Sequence, residues 1–87
     1  MKNIEIYTKQ FCPFCIRAKA LLDSKGVTYV EYEVSRDAEL QREMRKRSNR
    51  ATVPQIFIEG AHLGGSDDLL TLERNGELDA LISTQAA

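Results

Sequence analysis

Two cysteines three positions apart, Cys12-Pro13-Phe14-Cys15, are the only cysteines in this 87-residue chain, and they stand where one sequence pattern gives way to another. Before them runs a short β-forming stretch, Asn3 to Tyr7; from Pro13 to Lys25 the pattern is helical. A strand that feeds a helix through Cys-x-x-Cys constrains the fold sharply. It asks for a βαβ unit with both thiols at the N-terminal end of its helix. Pro13 suits the first helical position, since its φ is already helical and its missing N–H has no bond to lose there. Cys12 is then the N-cap, its sulfur set where unpaired backbone N–H groups converge at the positive end of the helix dipole. That setting favours thiolate over thiol. Cys15 follows one turn later, at a spacing of roughly 5–6 Å, close to the Cα separation of about 5.5 Å that a disulfide needs. The chemistry implied is thiol–disulfide exchange, with Cys12 at the tip attacking and Cys15 under the first turn resolving.

Other uses of the pair fit less well. A closed zinc site needs four ligands, and beyond the two cysteines only the distant His62 is at hand, so no metal is expected. A structural disulfide over so short a loop would staple little. Hydrophobic content of 43%, charged content of 29% and a formal net charge of −1 describe one ordinary globular domain over residues 1–87. No bulk positive field calls for nucleic acid, and no apolar run is long enough to span a bilayer. Met1-Lys2-Asn3-Ile4 reads straight into a strand without an apolar signal segment, so a cytoplasmic address is expected; a monomer is expected as well. In a reducing compartment a cysteine pair is more plausibly catalytic than structural.

Further along, Ile16, Ala18, Leu21 and Leu22 supply the buried face of the first helix, and Gly26 stops it. Thr28 to Val34 alternates as a second strand, with Val30, Tyr32 and Val34 on one face. Ser35 or Asp37 caps a second helix to about Ser48, thinly apolar at Leu40 and Met44. Gln55 to Glu59 is a third strand, and after Gly60 a short fourth covers Ala61 to Leu63. Gly64-Gly65 leads to Ser66, the expected N-cap of a third helix carrying Leu69, Leu70 and Leu72 and ended by Asn75-Gly76. Leu78, Leu81 and Ile82 suggest a last helical turn before a polar tail, Ser83 to Ala87. The order β-α-β-α-β-β-α predicts an α/β fold, a four-stranded mixed sheet flanked by helices on both faces.

Cys12-Pro13-Phe14-Cys15, Thr52-Val53-Pro54 and Gly64-Gly65-Ser66-Asp67-Asp68 occur in this order. Together they resemble the glutaredoxins, specifically the small bacterial dithiol type, over nearly the whole chain. The resemblance implies a thioredoxin fold and a glutathione-dependent oxidoreductase. Its substrates would be protein–glutathione mixed disulfides and protein disulfides. Cys12 is then the nucleophile, Cys15 the resolving cysteine and glutathione the reducing co-substrate, with no tightly bound cofactor. Read alone, Pro54 is an ordinary trans proline starting a strand; the resemblance implies a cis bond that turns the Val53 backbone toward Cys12, where it pairs with glutathione as an added strand does. Read alone, Gly65-Ser66-Asp67 is a capped helix start with acids in its first turn. The resemblance makes the N–H groups of Ser66 and Asp67 a seat for the γ-glutamyl carboxylate, with Asp67 beside the γ-glutamyl amine.

The resemblance also gives Lys9 to the glycyl carboxylate. It places Phe14 where many members carry tyrosine, keeping an apolar wall without the hydroxyl, and Ser66 where some carry a further cysteine. The basic residues around the second helix read as a solvated face, with Arg47 or Arg50 as candidates for steering an anionic substrate. His62 reads as an exposed hairpin residue. Two other functions share the Cys-x-x-Cys frame: a redoxin reduced by thioredoxin reductase, and a dimeric iron–sulfur carrier. Against the carrier, Cys15 is available to close an internal disulfide with Cys12.

Overall fold

The structure, a computed structural model, describes residues 3–82, so the tail expected at Ser83 to Ala87 lies outside the described residues. The elements run β1 (Ile4–Thr8), α1 (Pro13–Ser24), β2 (Val30–Glu33), α2 (Ala38–Ser48), β3 (Gln55–Ile58), β4 (Ala61–Gly64), α3 (Ser66–Arg74) and α4 (Leu78–Ile82). The strands form one sheet in the order β2-β1-β3-β4. β1 lies parallel to β2 and antiparallel to β3, and β3 pairs antiparallel with β4. This is the mixed sheet and element order that the sequence predicts.

Both faces of the sheet are covered because neighbouring strand residues point opposite ways. Ile4, Ile6 and Ile56 meet Ala18 and Leu22 of α1, Leu69 of α3, and Leu78 and Ile82 of α4. Tyr7 and Phe57, each one residue along, meet Met44 and the partly buried Leu40 of α2, together with Val34. The thin apolar stripe of α2 is thus enough, since two large rings reach up to it. Two expected positions differ. Ile16 is 59% exposed: burial of Cys15, Ala18 and Leu22 sets the phase of α1, and a residue next to Cys15 points away from the sheet. Val30 is also exposed, at the start of the outer strand β2, while Val34, the residue after its end, is buried.

A polar network ties α2 to the same face. The Arg47 guanidinium donates to both Glu5 oxygens, at 2.9 and 3.1 Å, and to the Tyr7 hydroxyl at 2.8 Å. Its charge lies 4.0 Å from the centre of the Phe57 ring. Tyr32 donates to Glu5 at 3.0 Å, and Tyr7 donates to Glu43. Arg47 is therefore committed to the sheet and is not among the residues lining the cleft described below. The Arg47 hydrogen bond holds Glu5 below the ordinary carboxylate value of 4.5. A carboxylate depressed in the folded state stabilises above its unfolded value, and that contribution disappears as pH falls through the depressed one. Arg47→Met is expected to cost about 1–3 kcal/mol at pH 7. Urea unfolding of both proteins should show the gap narrowing in acid, as Glu5 is protonated, to the part that the Tyr7 and Phe57 contacts of Arg47 supply.

Candidate active site

The turn between β1 and α1 delivers the cysteine pair. Phe11 adopts left-handed backbone (φ 57) and its ring is 94% exposed, standing in solvent just before Cys12. Cys12 then takes extended backbone (φ −104, ψ 106) as the N-cap of α1, and Pro13 opens the helix. The Cys15 backbone N–H donates to Cys12 Sγ at 3.2 Å, and the Cys12 carbonyl receives the first helical bond, from Ile16, at 3.0 Å. The sulfur does what Asp37 does for α2, where Oδ1 accepts from the Leu40 N–H at 3.0 Å.

Cys15 is the buried partner. It is 1% exposed, and burial, with smaller contributions from its hydrogen bond and charge contact with Cys12, pushes its thiol up from 9.0 to about 12. A backbone hydrogen bond from Lys9 acts the other way. At neutral pH Cys15 is therefore a thiol. Once Cys12 is tied into a mixed disulfide, the contributions from a Cys12 thiolate vanish, while burial remains.

A cleft of about 370 Å³ adjoins the pair, with Phe14 as the shared wall. Thr52, Val53, Pro54 and Gln55 line one side; Gly65, Ser66, Asp67 and Asp68 line another, with Arg50 beside them. The Val53–Pro54 bond is cis. Thus Phe14, Thr52, Val53, Pro54, Gly65, Ser66 and Asp67 come together as the sequence motifs imply. Lys9 does not join them: it is exposed on the loop after β1 and does not line the cleft.

Ser66 is the first residue of α3 and Gly65 the N-cap, contrary to the sequence expectation. The reason is Asp68, three residues on, whose carboxylate reaches back to the Gly65 N–H at 2.9 Å and fills the capping role. Asp68 also pairs with Arg50 at 3.1 Å, and both contacts hold it below the ordinary carboxylate value, the Gly65 one most. Ser66 Oγ, freed from capping, is buried on the cleft wall without a hydrogen-bond partner among the described residues. Gln55 and Asp68 are lining residues to which the sequence reading gave no role, while of the two steering candidates Arg50 lines the cleft and Arg47 does not. The spacing of an acid three residues after a glycine N-cap carries a signal for Asp68; Gln55 carries none beyond being polar at the head of an apolar strand.

Residues 4–63 match the glutaredoxin family model. The chain belongs to the glutaredoxin family. It is 56% identical to glutaredoxin 3 of Escherichia coli strain K12 over 82 residues, 94% of this chain and 99% of that protein. Among solved structures, the solution structure of glutaredoxin from Brucella melitensis superposes with a TM-score of 0.82 at 49% identity, covering 98% of this chain and 92% of that one. A buckwheat glutaredoxin–glutathione complex superposes with a TM-score of 0.85 at 28% identity, covering 94% and 77%. The fold is accordingly the thioredoxin fold of this family, and the activity is that of a glutathione-dependent thiol–disulfide oxidoreductase. The family match ends one residue before Gly64, so the turn into α3 stands on its own geometry.

Proposed function

We propose that Cys12 takes the glutathionyl group from protein–glutathione mixed disulfides and that the cleft beside it holds glutathione. The observation that carries this is the junction at Phe14: an N-capping thiol and its buried partner on one side, a cleft with a helix N-terminus on the other. Cys12 thiolate attacks the glutathionyl sulfur. The target thiolate leaves and takes a proton from solvent, and Cys12 carries glutathione. A second glutathione thiolate then attacks the glutathionyl sulfur, releasing glutathione disulfide and restoring Cys12. Alternatively Cys15 loses its proton, attacks Cys12 and releases reduced glutathione, leaving an internal disulfide. The second route reduces protein disulfides as well.

In this reading the Val53 backbone pairs with the cysteinyl part of glutathione. The N–H groups at the start of α3 receive the γ-glutamyl carboxylate, with Asp67 beside the amine. The buried, unpartnered Ser66 hydroxyl supports a ligand acceptor at that end. Lys9 is assigned to the glycyl carboxylate by family pattern alone. The partners proposed are glutathione and disulfide-bearing or glutathionylated proteins, with no nucleic acid and no membrane. The protein would act as a single-domain monomer in the cytoplasm without a bound cofactor. No helix among the described residues is long and apolar enough to cross a membrane. The test is turnover of a glutathionylated peptide with glutathione and glutathione reductase. Turnover is expected there; turnover only with thioredoxin reductase would replace this reading with that of a thioredoxin-reductase-fed redoxin.

A further inference from the structure

Gln55 follows Pro54 directly and is 1% exposed. A primary amide so buried needs partners for both its ends. Its Nε2 lies 3.0 Å from the Thr52 carbonyl oxygen and 3.2 Å from Thr52 Oγ1. A carbonyl oxygen only accepts, so the nitrogen of the amide must face Thr52 and Oε1 must face away. On that side stands His62 Nε2, 2.6 Å from Oε1. Oε1 has no proton to give, so the proton is on His62 Nε2. The imidazole is held in place by Phe57, its cross-strand neighbour, with ring centres 5.0 Å apart. Protonation at Nδ1 would leave the Nε2–H where it is, so the link does not depend on the charge of His62.

The chain of donors therefore runs one way, from His62 on β4 through Gln55 on β3 to Thr52. Thr52 is exposed and Val53 only half-buried, so packing alone anchors this loop weakly. We propose that His62 and Gln55 are positioning residues: their relay sets the Thr52-Val53-Pro54 wall of the cleft, and with it the affinity for the glutathionyl group, without touching the reacting sulfurs. This rests on the reading that glutathione occupies the cleft.

Three variants separate the relay from packing, each assayed for kcat and KM on a glutathionylated peptide. His62→Phe keeps a ring against Phe57 but removes the donor. His62→Gln restores an N–H. Gln55→Met keeps length and removes both links. Loss of one such hydrogen bond is expected to raise KM about five-fold in His62→Phe, and further in Gln55→Met, with kcat within about two-fold. His62→Gln should recover most of the loss. Wild-type KM in both folded variants, or equal rises in His62→Phe and His62→Gln, would overturn the relay. Ring nitrogen shifts of wild-type His62 read its protonation without any variant: a proton on Nε2, in the neutral or the charged ring, supports the relay, and a neutral ring with its one proton on Nδ1 overturns it. A wild type that fails to turn over the peptide would instead remove the glutathione reading, while the tautomer still reports on the relay.

Discussion

Replacing Cys12 with serine is expected to abolish turnover of every disulfide substrate, a loss on the order of a thousand-fold or more. The serine hydroxyl can still accept the Cys15 N–H, which reaches Cys12 Sγ at 3.2 Å, so the fold should survive. What disappears is the only sulfur at the helix tip. Cys15→Ser should behave differently. Buried and held as a thiol with its value raised to about 12, Cys15 is not the group that meets substrate at neutral pH. Reduction of a glutathione mixed disulfide should stay within about two-fold of wild type, since a second glutathione resolves the adduct. Reduction of a protein disulfide, which needs Cys15 to release the mixed disulfide, should fall by about ten-fold or more. Residual activity in Cys12→Ser would overturn the assignment of the nucleophile.

Gly64→Ala is expected to have the largest effect outside the cysteines. Gly64 sits at φ +136, a region that side-chain-bearing residues rarely adopt. A Cβ there would fall 2.3 Å from Asp68 Oδ2 and 2.7 Å from Asp68 Cβ, so the clash reaches the root of that side chain and its tip cannot simply swing aside. Displacing Asp68 undoes its bond to the Gly65 N–H and its pairing with Arg50. Strained backbone and a lost cap together predict a stability loss of about 2–4 kcal/mol. The start of α3 should shift with it and raise KM for the glutathionylated peptide. Gly76→Ala is the control: its φ is +72 but an added Cβ meets nothing within 4 Å among the described residues. It should lose about 1 kcal/mol and leave KM unchanged. Equal losses in urea unfolding, or an unaltered KM in Gly64→Ala, would contradict this account of the turn.

These outcomes bear on how much the sequence told. Strand and helix order followed from alternation and periodicity, because both sheet faces are covered and each element shows its apolar stripe. The cysteine pair was legible because Pro13 and the spacing of Cys12 and Cys15 fix a helix start, and local geometry then decides which sulfur caps. Features set by tertiary contacts were less legible. Ile16 looked like core until burial of Cys15 fixed the phase of α1. Arg47 looked like a free surface charge, yet Glu5, Tyr7 and Phe57 hold it from strands remote in sequence. Ser66 has the composition of an N-cap, but Gly65 takes the position because Asp68, three residues after it, reaches back to its N–H. His62 reads as a hairpin residue until the amide of Gln55 is placed beside it.

The most direct test of the central claim is to mix Cys15→Ser with a glutathionylated peptide, quench with acid, and locate the glutathionyl group by peptide-mapping mass spectrometry. The account predicts glutathione on Cys12 and a free peptide thiol. An adduct joining Cys12 to the peptide itself, with free glutathione released, would show that Cys12 attacks the protein sulfur and would contradict the proposed seat of glutathione in the cleft.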